Sequence, residues 1–290
     1  MVGRKICSDV EAVERGFAGC EAAQRRLILR ETIEAFEKAS PPDKFHRLAW
    51  QNLERWQKER KARAERCKTM VLAGDWGEVT ASLTREYGTC FAVLNMANAW
   101  VPGGAYVEGA IAQEENMFRR TDCHFNIDEK EYDAELDRYR PEMTRLISAA
   151  EGVVFLDKLA PRVCIRGPED RTRTDLGYAW LRDEEVFPFF ELRAAAQDLR
   201  GGVKFDPEEA RKRIIAQLET LRQNQIKHAV LSAFGCGAFR NPADQVAVIY
   251  REEIASRQAD FSIIAFAIFS AGYGPDNFTP FAAAFEQLID

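Results

Sequence analysis

LNMANAWVPGGAYVEGAIAQEENMFRR, residues 94–120, is the stretch of this sequence that decides its fold. It begins inside the apolar run Phe91–Met96, whose length and composition predict a buried strand. Pro102–Gly104 then predicts a tight loop, and Gln113–Arg120 follows with the spacing of a helix. A strand, a glycine loop and a helix in this order can hold a phosphate group and place a carboxylate beside it.

Two adjacent acids, Glu114 and Glu115, begin the predicted helix. The helix dipole stabilises carboxylates there as anions, so an acid role for either residue requires burial, which raises the pKa of a carboxyl group. Neighbouring side chains on a helix point about 100 degrees apart, so the two carboxylates do not face each other across one bond. Such first-turn acids are usually solvated, and the neighbouring glycine loop is what favours a chemical role.

A second glycine loop, GCGAFRN at Gly235–Asn241, follows the apolar run Ala229–Phe234 and precedes a helix predicted to begin at Pro242. Either loop alone could be a simple turn. Together, each between a buried strand and a helix, they fit ligand binding at the carboxyl edge of an open α/β sheet. Neither is followed by the Gly-Lys-Ser/Thr of a phosphate-binding P-loop, and neither reads GxGxxG. A diphosphate held by backbone N–H groups is the better interpretation.

This combination of motifs resembles the microbial-type poly(ADP-ribose) glycohydrolases, a branch of the macrodomain superfamily. Their signature is a Gly-Gly-Gly loop, a short spacer and Gln-Glu-Glu, matched here by Gly103-Gly104-Ala105 and Gln113-Glu114-Glu115. Ala105 replaces the third glycine, so either the backbone is ordinary there or the loop is reshaped. With the second loop included, the resemblance covers roughly residues 70–288.

The resemblance implies roles for particular residues. Glu115 corresponds to the catalytic acid/base, Glu114 to the residue that holds the distal ribose hydroxyls, and Asn98 to a residue that orients the same ribose. Four aromatic residues lie near the loops. Phe239 and Phe269 are better candidates for ligand contact than Tyr106 and Tyr273, because the family closes on ribose and adenine at their positions. The remaining expected ligand contacts are Gly103, Gly104, Ala105, Gln113, Gly235, Cys236, Gly237 and Ala238. Arg119 and Arg120 are interpreted as ion-pair partners on the helix surface.

The expected architecture is α/β, a three-layer α/β/α macrodomain-like mixed sheet with an N-terminal helical extension. Residues 1–68 are assigned to a helical accessory region and residues 69–290 to the ADP-ribose-binding catalytic domain. Within the latter, residues 128–150 are predicted to be helical with an interruption at Pro141. Strands are predicted at Gly152–Leu156 and Arg162–Ile165, while Glu185–Phe190 is ambiguous. Helices are also predicted at Phe45–Cys67, Val79–Tyr87 and Phe278–Leu288.

Composition narrows the class of partner. The net charge of −6 gives a nucleic-acid partner no electrostatic support, and no segment approaches the ~20 apolar residues that span a membrane. No signal peptide is visible, so a cytoplasmic location is expected. Seven cysteines without a CxxC spacing and three scattered histidines argue for reduced thiols, against a metal site and against a disulfide framework. No cofactor is expected, and the oligomeric state is left open.

The predicted function is hydrolysis of the O-glycosidic ribose–ribose bonds of poly(ADP-ribose). Two alternatives remain open at this point. The chain could hydrolyse mono-ADP-ribosylated substrates. It could also bind ADP-ribose or an ADP-ribosylated protein without turnover, if Ala105 or the middle segment ELRAAAQDLR (Glu191–Arg200), which departs from the family, has impaired the site.

Overall fold

The computed structural model describes residues 3–17, 19–60, 67–270 and 274–286. Helices and strands alternate along most of the chain. In order they are α1 (Asp9–Glu14), α2 (Cys20–Glu37), α3 (Lys44–Glu59), β1 (Lys68–Ala73), α4 (Trp76–Tyr87), β2 (Ala92–Met96), α5 (Gln113–Arg120), β3 (Tyr132–Asp133), β4 (Arg138–Tyr139), α6 (Pro141–Ile147), β5 (Phe155–Cys164), β6 (Phe187–Ala194), α7 (Pro207–Gln223), β7 (His228–Leu231), α8 (Ala243–Ala255), β8 (Ile263–Ile268) and α9 (Phe278–Glu286).

The central sheet has six strands in the order β1-β8-β7-β2-β6-β5. Strands β1, β8, β7, β2 and β6 are parallel, and only the edge strand β5 runs antiparallel to its neighbour. The mixed sheet predicted from the sequence is therefore confirmed. Strands β1 and β2 are parallel as expected from their strand–helix–strand sequence, but β8 and β7 lie between them.

Helices cover both faces of the sheet, because alternate side chains of its strands point to opposite faces. Leu94 and Ile264 pack with the apolar side chains of α7, α8 and α9 on one face. Their neighbours Val93 and Ala265 pack on the other face with Val79 and other apolar residues of α2, α3, α4 and α5. The structure thus has the predicted three-layer α/β/α arrangement.

Two helix starts show how local chemistry sets the element boundaries. The Asp206 carboxylate accepts hydrogen bonds from the backbone N–H groups of Glu208 and Glu209, as expected for the N-cap of α7. The Asp75 carboxylate does the same for Gly77 and Glu78. Helix α4 consequently begins at Trp76, three residues before the predicted start at Val79.

Several predictions between residues 128 and 165 were wrong. Residues 128–140 contain the two-stranded hairpin β3–β4 instead of a helix, and Pro141 begins α6 instead of interrupting a helix. A proline at the first helical position loses no hydrogen bond, which explains its place there. The two predicted strands at 152–165 form the single irregular strand β5, and the ambiguous segment forms β6.

The N-terminal helices are packed directly against the rest of the chain. The Thr32 hydroxyl of α2 donates to the backbone carbonyl of Arg119 in α5, with a donor–acceptor distance of 2.7 Å. Helix α3 ends at Glu59, and residues 61–66 of its predicted extension lie outside the described residues, as do residues 287–290 after α9. The division of the chain at residue 68 stays a prediction. Among the described residues, no helix combines the length and apolar character needed to cross a bilayer.

Candidate active site

The two glycine loops leave the same edge of the sheet from neighbouring strands. Strand β2 pairs in parallel with β7, with Ala92 opposite Ala229 and Val93 opposite Val230. The first loop connects β2 to α5, and the second connects β7 to α8. Parallel neighbouring strands end at the same side, so the two loops lie next to each other at one edge of the sheet.

The first loop wraps the carboxylate of Glu114. The Asn98 N–H donates to Oε2 of Glu114 at 2.7 Å, and the Gly103 N–H donates to Oε1 at 3.1 Å. The side chain is 3% exposed. Both oxygens therefore bind backbone amides of the loop, so Glu114 fixes the shape of the loop against the start of α5.

The neighbouring carboxylate of Glu115 is held at one oxygen only. Its Oε1 accepts a hydrogen bond of 3.0 Å from the Ala105 N–H, whereas its buried Oε2 has no hydrogen-bond partner among the residues that the structure describes. Glu115 is 8% exposed. A buried carboxyl oxygen without a partner is costly unless a proton or a ligand satisfies it. Of the two adjacent acids, Glu115 is thus the one with an oxygen free for chemistry.

Burial raises the pKa of both Glu114 and Glu115 above the ordinary value of a glutamate, and the charge of Glu115 raises the pKa of Glu114 further. The two backbone N–H donors on Glu114 favour its charged form. The N–H groups of Ala105 and of Glu115 itself likewise favour the charged form of Glu115. Because the pKa of both carboxyl groups is raised, and that of Glu114 strongly, this buried pair can hold a proton.

Gly104 explains why the loop approaches these carboxylates so closely. Its φ of 56° lies in the left-handed region. A Cβ atom at this position would lie 2.4 Å from Oε1 of Glu115 and 3.1 Å from Oε2 of Glu114. Glycine is therefore required at residue 104 both by its backbone conformation and by the space beside the acids.

Ala105 has an ordinary backbone conformation. It is not among the described non-glycine residues with positive φ, and its N–H donates to Glu115. We expect Ala105→Gly to leave turnover unchanged and to lower the free energy of unfolding by about 0.4–1 kcal/mol, because glycine increases the entropy of the unfolded chain. Denaturant titration and steady-state assays of the two proteins test this expectation. A gain in turnover would show that the alanine constrains the site.

Gln113 and Asn98 have their polar groups engaged within the chain. The Gln113 amide accepts from the Met96 N–H at 3.0 Å and donates to the Leu94 carbonyl at 2.9 Å, which ties α5 to the end of β2. The Asn98 side-chain oxygen accepts from two N–H groups of the following turn. The side-chain NH2 group of Asn98 is the part that remains for a ligand.

The second loop combines a structural glycine with an open one. A Cβ on Gly235 would lie 2.5 Å from both the Ala196 Cβ and the Asn241 Nδ2, whereas a Cβ on Gly237 would have no atom within 4 Å. Cys236 between them is buried. Gly237 and Ala238 are exposed, so their backbone is accessible to a ligand.

The two predicted aromatic contacts differ in their surroundings. Phe239 is partly buried and lies under Arg200, whose guanidinium carbon is 4.9 Å from the ring centroid. Phe269, directly after β8, is 49% exposed. Tyr106 is fully buried and its hydroxyl is 2.9 Å from Nδ1 of His124, so it supports the first loop from within the core. Tyr273 lies outside the described residues.

A cavity of about 570 Å³ opens beside the second loop. It is lined by Gly237 and Asn241 of the loop and by Asp276 and Asn277 before α9. Cavities of about 300–1,000 Å³ are typical of small-molecule sites. Glu114 and Glu115 are not among the residues that line it. Within the part of the chain that the structure describes, no group of three or more His, Cys, Asp or Glu side chains is arranged to bind a metal ion.

The interpretation of Arg119 and Arg120 as surface residues was wrong, because they are 0% and 1% exposed. Arg120 pairs with Asp75 at 2.5 Å and lies 4.6 Å above the Trp76 ring. Arg119 donates to the Tyr178 hydroxyl at 2.9 Å and to the Ala110 carbonyl at 2.7 Å. Helix α5 is buried from Glu114 to Arg120, and both arginines bind residues outside the helix. The spacing of residues within α5 did not indicate these partners.

Two further features of the site gave no signal in the sequence. The Glu191 carboxylate, fully buried in β6, binds Arg162 and Arg193 at 3.0 and 2.9 Å. Burial alone would raise the pKa of Glu191, but the two arginines lower it to about 2. The second feature is Arg4, which donates to the Pro102 and Gly104 carbonyls of the first loop. Both features join residues far apart in the chain.

Comparison with known proteins identifies relatives of this arrangement. The family model described as the catalytic domain of microbial-type poly(ADP-ribose) glycohydrolase matches residues 8–151. The resemblance inferred from the motifs is thereby confirmed. No match is found among curated protein sequences.

Solved structures of poly(ADP-ribose) glycohydrolases share the fold. The enzyme from Thermomonospora curvata is 22% identical with a TM-score of 0.61, and the alignment covers 90% of this chain and 99% of that one. The same enzyme bound to the inhibitor ADP-HPD gives 22% identity, a TM-score of 0.60 and the same coverage. The enzyme from Deinococcus radiodurans in complex with ADP-ribose is 23% identical with a TM-score of 0.54, covering 85% of this chain and 93% of that one. At these identities the likeness establishes a common fold.

Proposed function

We propose that this chain is an ADP-ribose glycohydrolase that cleaves the ribose–ribose bonds of poly(ADP-ribose). The match of residues 8–151 to the family model of the microbial-type poly(ADP-ribose) glycohydrolase catalytic domain supports this proposal. The observation that carries the proposal is the buried Oε2 of Glu115 beside a glycine loop, an oxygen without a hydrogen-bond partner in the described part of the chain. The adjacent second loop supplies a place for the diphosphate. The relatives crystallised with ADP-HPD and ADP-ribose support the same class of ligand.

In the proposed reaction, protonated Glu115 acts first as a general acid. It gives its proton to the oxygen that leaves the anomeric carbon of ribose, and the C–O bond breaks through an oxocarbenium-like state. The resulting carboxylate steadies the positive charge and then removes a proton from the attacking water. The water oxygen bonds to the anomeric carbon, so Glu115 ends in its initial protonated form. The raised pKa of Glu115 favours the first step, since an acid must be protonated before it can act.

Glu114 has a different proposed task. Its two oxygens already accept one backbone N–H each, but each carboxylate oxygen can accept a further hydrogen bond. We propose that these remaining positions accept the ribose hydroxyls, and that the amide of Asn98 orients the same sugar. The loop and the ribose would then share one carboxylate, which fixes the ribose relative to Glu115.

The other end of the ligand is proposed to lie along the second glycine loop. Exposed backbone at Gly237 and Ala238 can approach a diphosphate closely, and Phe239 and Phe269 offer aromatic surface nearby. Gly103, Gly104 and Ala105 would line the ligand from the first loop. Three further residues shape the two loops. Gln113 binds β2 beside the first loop, and Gly235 and Cys236 are buried in the second.

The direct test is incubation with poly(ADP-ribose) and, separately, with mono-ADP-ribosylated protein, with detection of free ADP-ribose. Release from the polymer is expected. Release of ADP-ribose from the mono-ADP-ribosylated protein alone would show that the enzyme acts on mono-ADP-ribosylated substrates instead. ADP-ribose should also raise the melting temperature of the protein, and AMP much less. A thermal shift without release from either substrate would favour a non-catalytic ADP-ribose-binding domain, and the absence of both would contradict every one of these functions.

Gly237→Val tests the second loop without straining the fold. The backbone of Gly237 is not in the left-handed region and the space over it is open, so a valine side chain fits the protein but occupies the approach of a diphosphate. We expect at least a tenfold increase in the Kd for ADP-ribose, an effect of about 1.4 kcal/mol, with an unchanged melting temperature of the free protein.

Calorimetric titration of Gly237→Val measures the change in Kd. Gly167→Ala is the matched control, because Gly167 also has no left-handed backbone and lies outside both loops. Wild-type affinity in Gly237→Val would remove the second loop from the proposed binding site.

A further inference from the structure

We infer that Arg4, near the N-terminus, is a positioning residue that fixes the two peptide groups holding Glu114 and Glu115. The inference concerns the same site and rests on the proposed hydrolase function only for its kinetic consequences. Arg4 lies in the region assigned from the sequence to an accessory layer, and none of the motifs pointed to it.

Arg4 is linked to both carboxylates by hydrogen bonds through two peptide groups of the first loop. Nη1 of Arg4 donates to the Pro102 carbonyl at 3.2 Å, and the N–H of that same peptide, at Gly103, donates to Glu114. Nη1 also donates to the Gly104 carbonyl at 2.6 Å, and the N–H of that peptide, at Ala105, donates to Glu115. One guanidinium nitrogen thus contacts the carbonyl ends of two peptides whose amide ends each hold one carboxylate.

Arg4 is itself held firmly. Its side chain is 3% exposed, and its Nε and Nη2 bind the two carboxylate oxygens of Asp137 at 2.7 and 2.8 Å. The Tyr132 hydroxyl donates to the same carboxylate at 2.6 Å. The guanidinium carbon lies 5.5 Å from the centroid of the Tyr106 ring. A buried, bidentate arginine of this kind fixes position and charge together.

The chain of hydrogen bonds has an electrostatic consequence. A positive charge at the carbonyl end of a peptide polarises it and strengthens its N–H as a donor. Stronger donors favour the charged forms of Glu114 and Glu115, and so oppose the effect of burial on their pKa values. Removing the charge of Arg4 should therefore raise the pKa values of the pair. It should also leave two carbonyls without their donor and allow the loop to shift relative to the acids.

Other charged and titratable groups face these residues and remain present in an Arg4 variant. Those facing the carboxylate pair are Glu108, Arg119, Tyr139, Glu191, Arg193 and Arg200. Those facing Arg4 are Cys7, Tyr106, Glu108, His124, Tyr132 and Asp137. The difference in the pKa values of the pair between wild type and variant therefore measures the contribution of the Arg4 guanidinium, since these other groups are the same in both proteins.

The test compares wild type, Arg4→Gln, Arg4→Lys and Arg15→Gln. Arg15 is the matched control, since like Arg4 it is an N-terminal arginine that pairs with buried Glu108, but within the described residues it forms no hydrogen bond with a carbonyl of the first loop. Two quantities are measured: kcat on poly(ADP-ribose) and the titration of the pair by ¹³C NMR of δ-carbon-labelled glutamate, assigned with Glu114→Gln and Glu115→Gln. Arg4→Gln should lower kcat by at least about tenfold, since small displacements at a catalytic group have effects of this size. It should also move the titration to higher pH, with Arg4→Lys intermediate and Arg15→Gln like wild type.

A folded Arg4→Gln protein with wild-type kcat and wild-type titration would overturn the inference. If that variant does not fold, Arg4→Lys decides, because one ammonium nitrogen replaces the two nitrogens that bind Asp137 and the third that binds both loop carbonyls. Wild-type values of both quantities in Arg4→Lys would then overturn it. The NMR titration requires no turnover, so a failure of the proposed hydrolase function would be recognised from an inactive wild-type protein without affecting this test.

Discussion

Glu115→Gln should lower kcat on ADP-ribosylated substrate by about 100- to 10,000-fold, the usual contribution of general acid–base catalysis. Glutamine keeps the size of the side chain and can still accept the hydrogen bond from the Ala105 N–H. It cannot deliver a proton from the position of Oε2, the buried oxygen to which no described residue forms a hydrogen bond. The affinity for ADP-ribose should stay within a few-fold of wild type, because the loop that binds the ligand is retained.

The pH dependence of wild-type kcat provides a second measure of the same residue. Burial raises the pKa of Glu115, so the acid form persists above the model-peptide value of about 4.3. Since the protonated form is the one that acts on the leaving oxygen, kcat should fall as pH rises through this raised pKa. The corresponding ionisation should be absent from the residual activity of Glu115→Gln.

Glu114→Gln is the informative comparison for Glu115→Gln. Its carboxylate holds the loop and is proposed to hold ribose hydroxyls, contacts that differ little between ground and transition states. This variant should therefore lose both affinity and rate, whereas Glu115→Gln loses rate alone. Single-turnover kinetics and calorimetry on both proteins separate the two patterns. Undiminished turnover in Glu115→Gln would remove Glu115 from the mechanism.

The sequence predicted those parts of the site that depend on local order along the chain. Apolar run, glycine loop and acid-bearing helix follow one another within residues 91–120, and the structure has β2, the loop and α5 there. That the two loops are adjacent was inferred from a general rule, that ligands bind at the carboxyl edge of an open α/β sheet. It is realised because β7 pairs with β2, an order that no local pattern specifies.

What the sequence did not predict depends on contacts between distant residues. Arg120 looks like a surface charge until Asp75 and Trp76 are placed beside it by the packing of α4 against α5. Arg4 looks like part of a charged terminus until the loop carbonyls and Asp137 surround it. Arginine is rarely buried without partners, and the partners are defined only by the tertiary fold.

Short polar segments were the other source of error. Residues 128–140 have enough charge to suggest a solvated helix, yet they form a hairpin whose Asp137 binds Arg4. Strands of two residues have too little alternation to be recognised from hydrophobic pattern. The hairpin is stabilised by what it contacts, which explains why its own sequence did not indicate it.

Gly104→Ala has the second-largest expected effect and tests how closely the first loop must approach the acids. The added Cβ would lie 2.4 Å from Oε1 of Glu115, so the carboxyl group has to move. Glu115 is buried and its Oε1 is bound to the Ala105 N–H, so this movement breaks a hydrogen bond inside the site. A displacement of about 1 Å at a catalytic group can reduce the rate by about 100-fold, and kcat should fall by that order.

The same substitution also strains the backbone, because φ at residue 104 is 56°. An L-residue in the left-handed region costs roughly 1–2 kcal/mol, so the melting temperature should fall as well. Gly152→Ala separates the two effects: Gly152 has a φ of 75° and open space around its Cβ position. This control should lose a similar amount of stability and keep wild-type kcat. If Gly104→Ala also keeps wild-type kcat at a temperature where it is folded, the close contact between the loop and Glu115 is not required for catalysis.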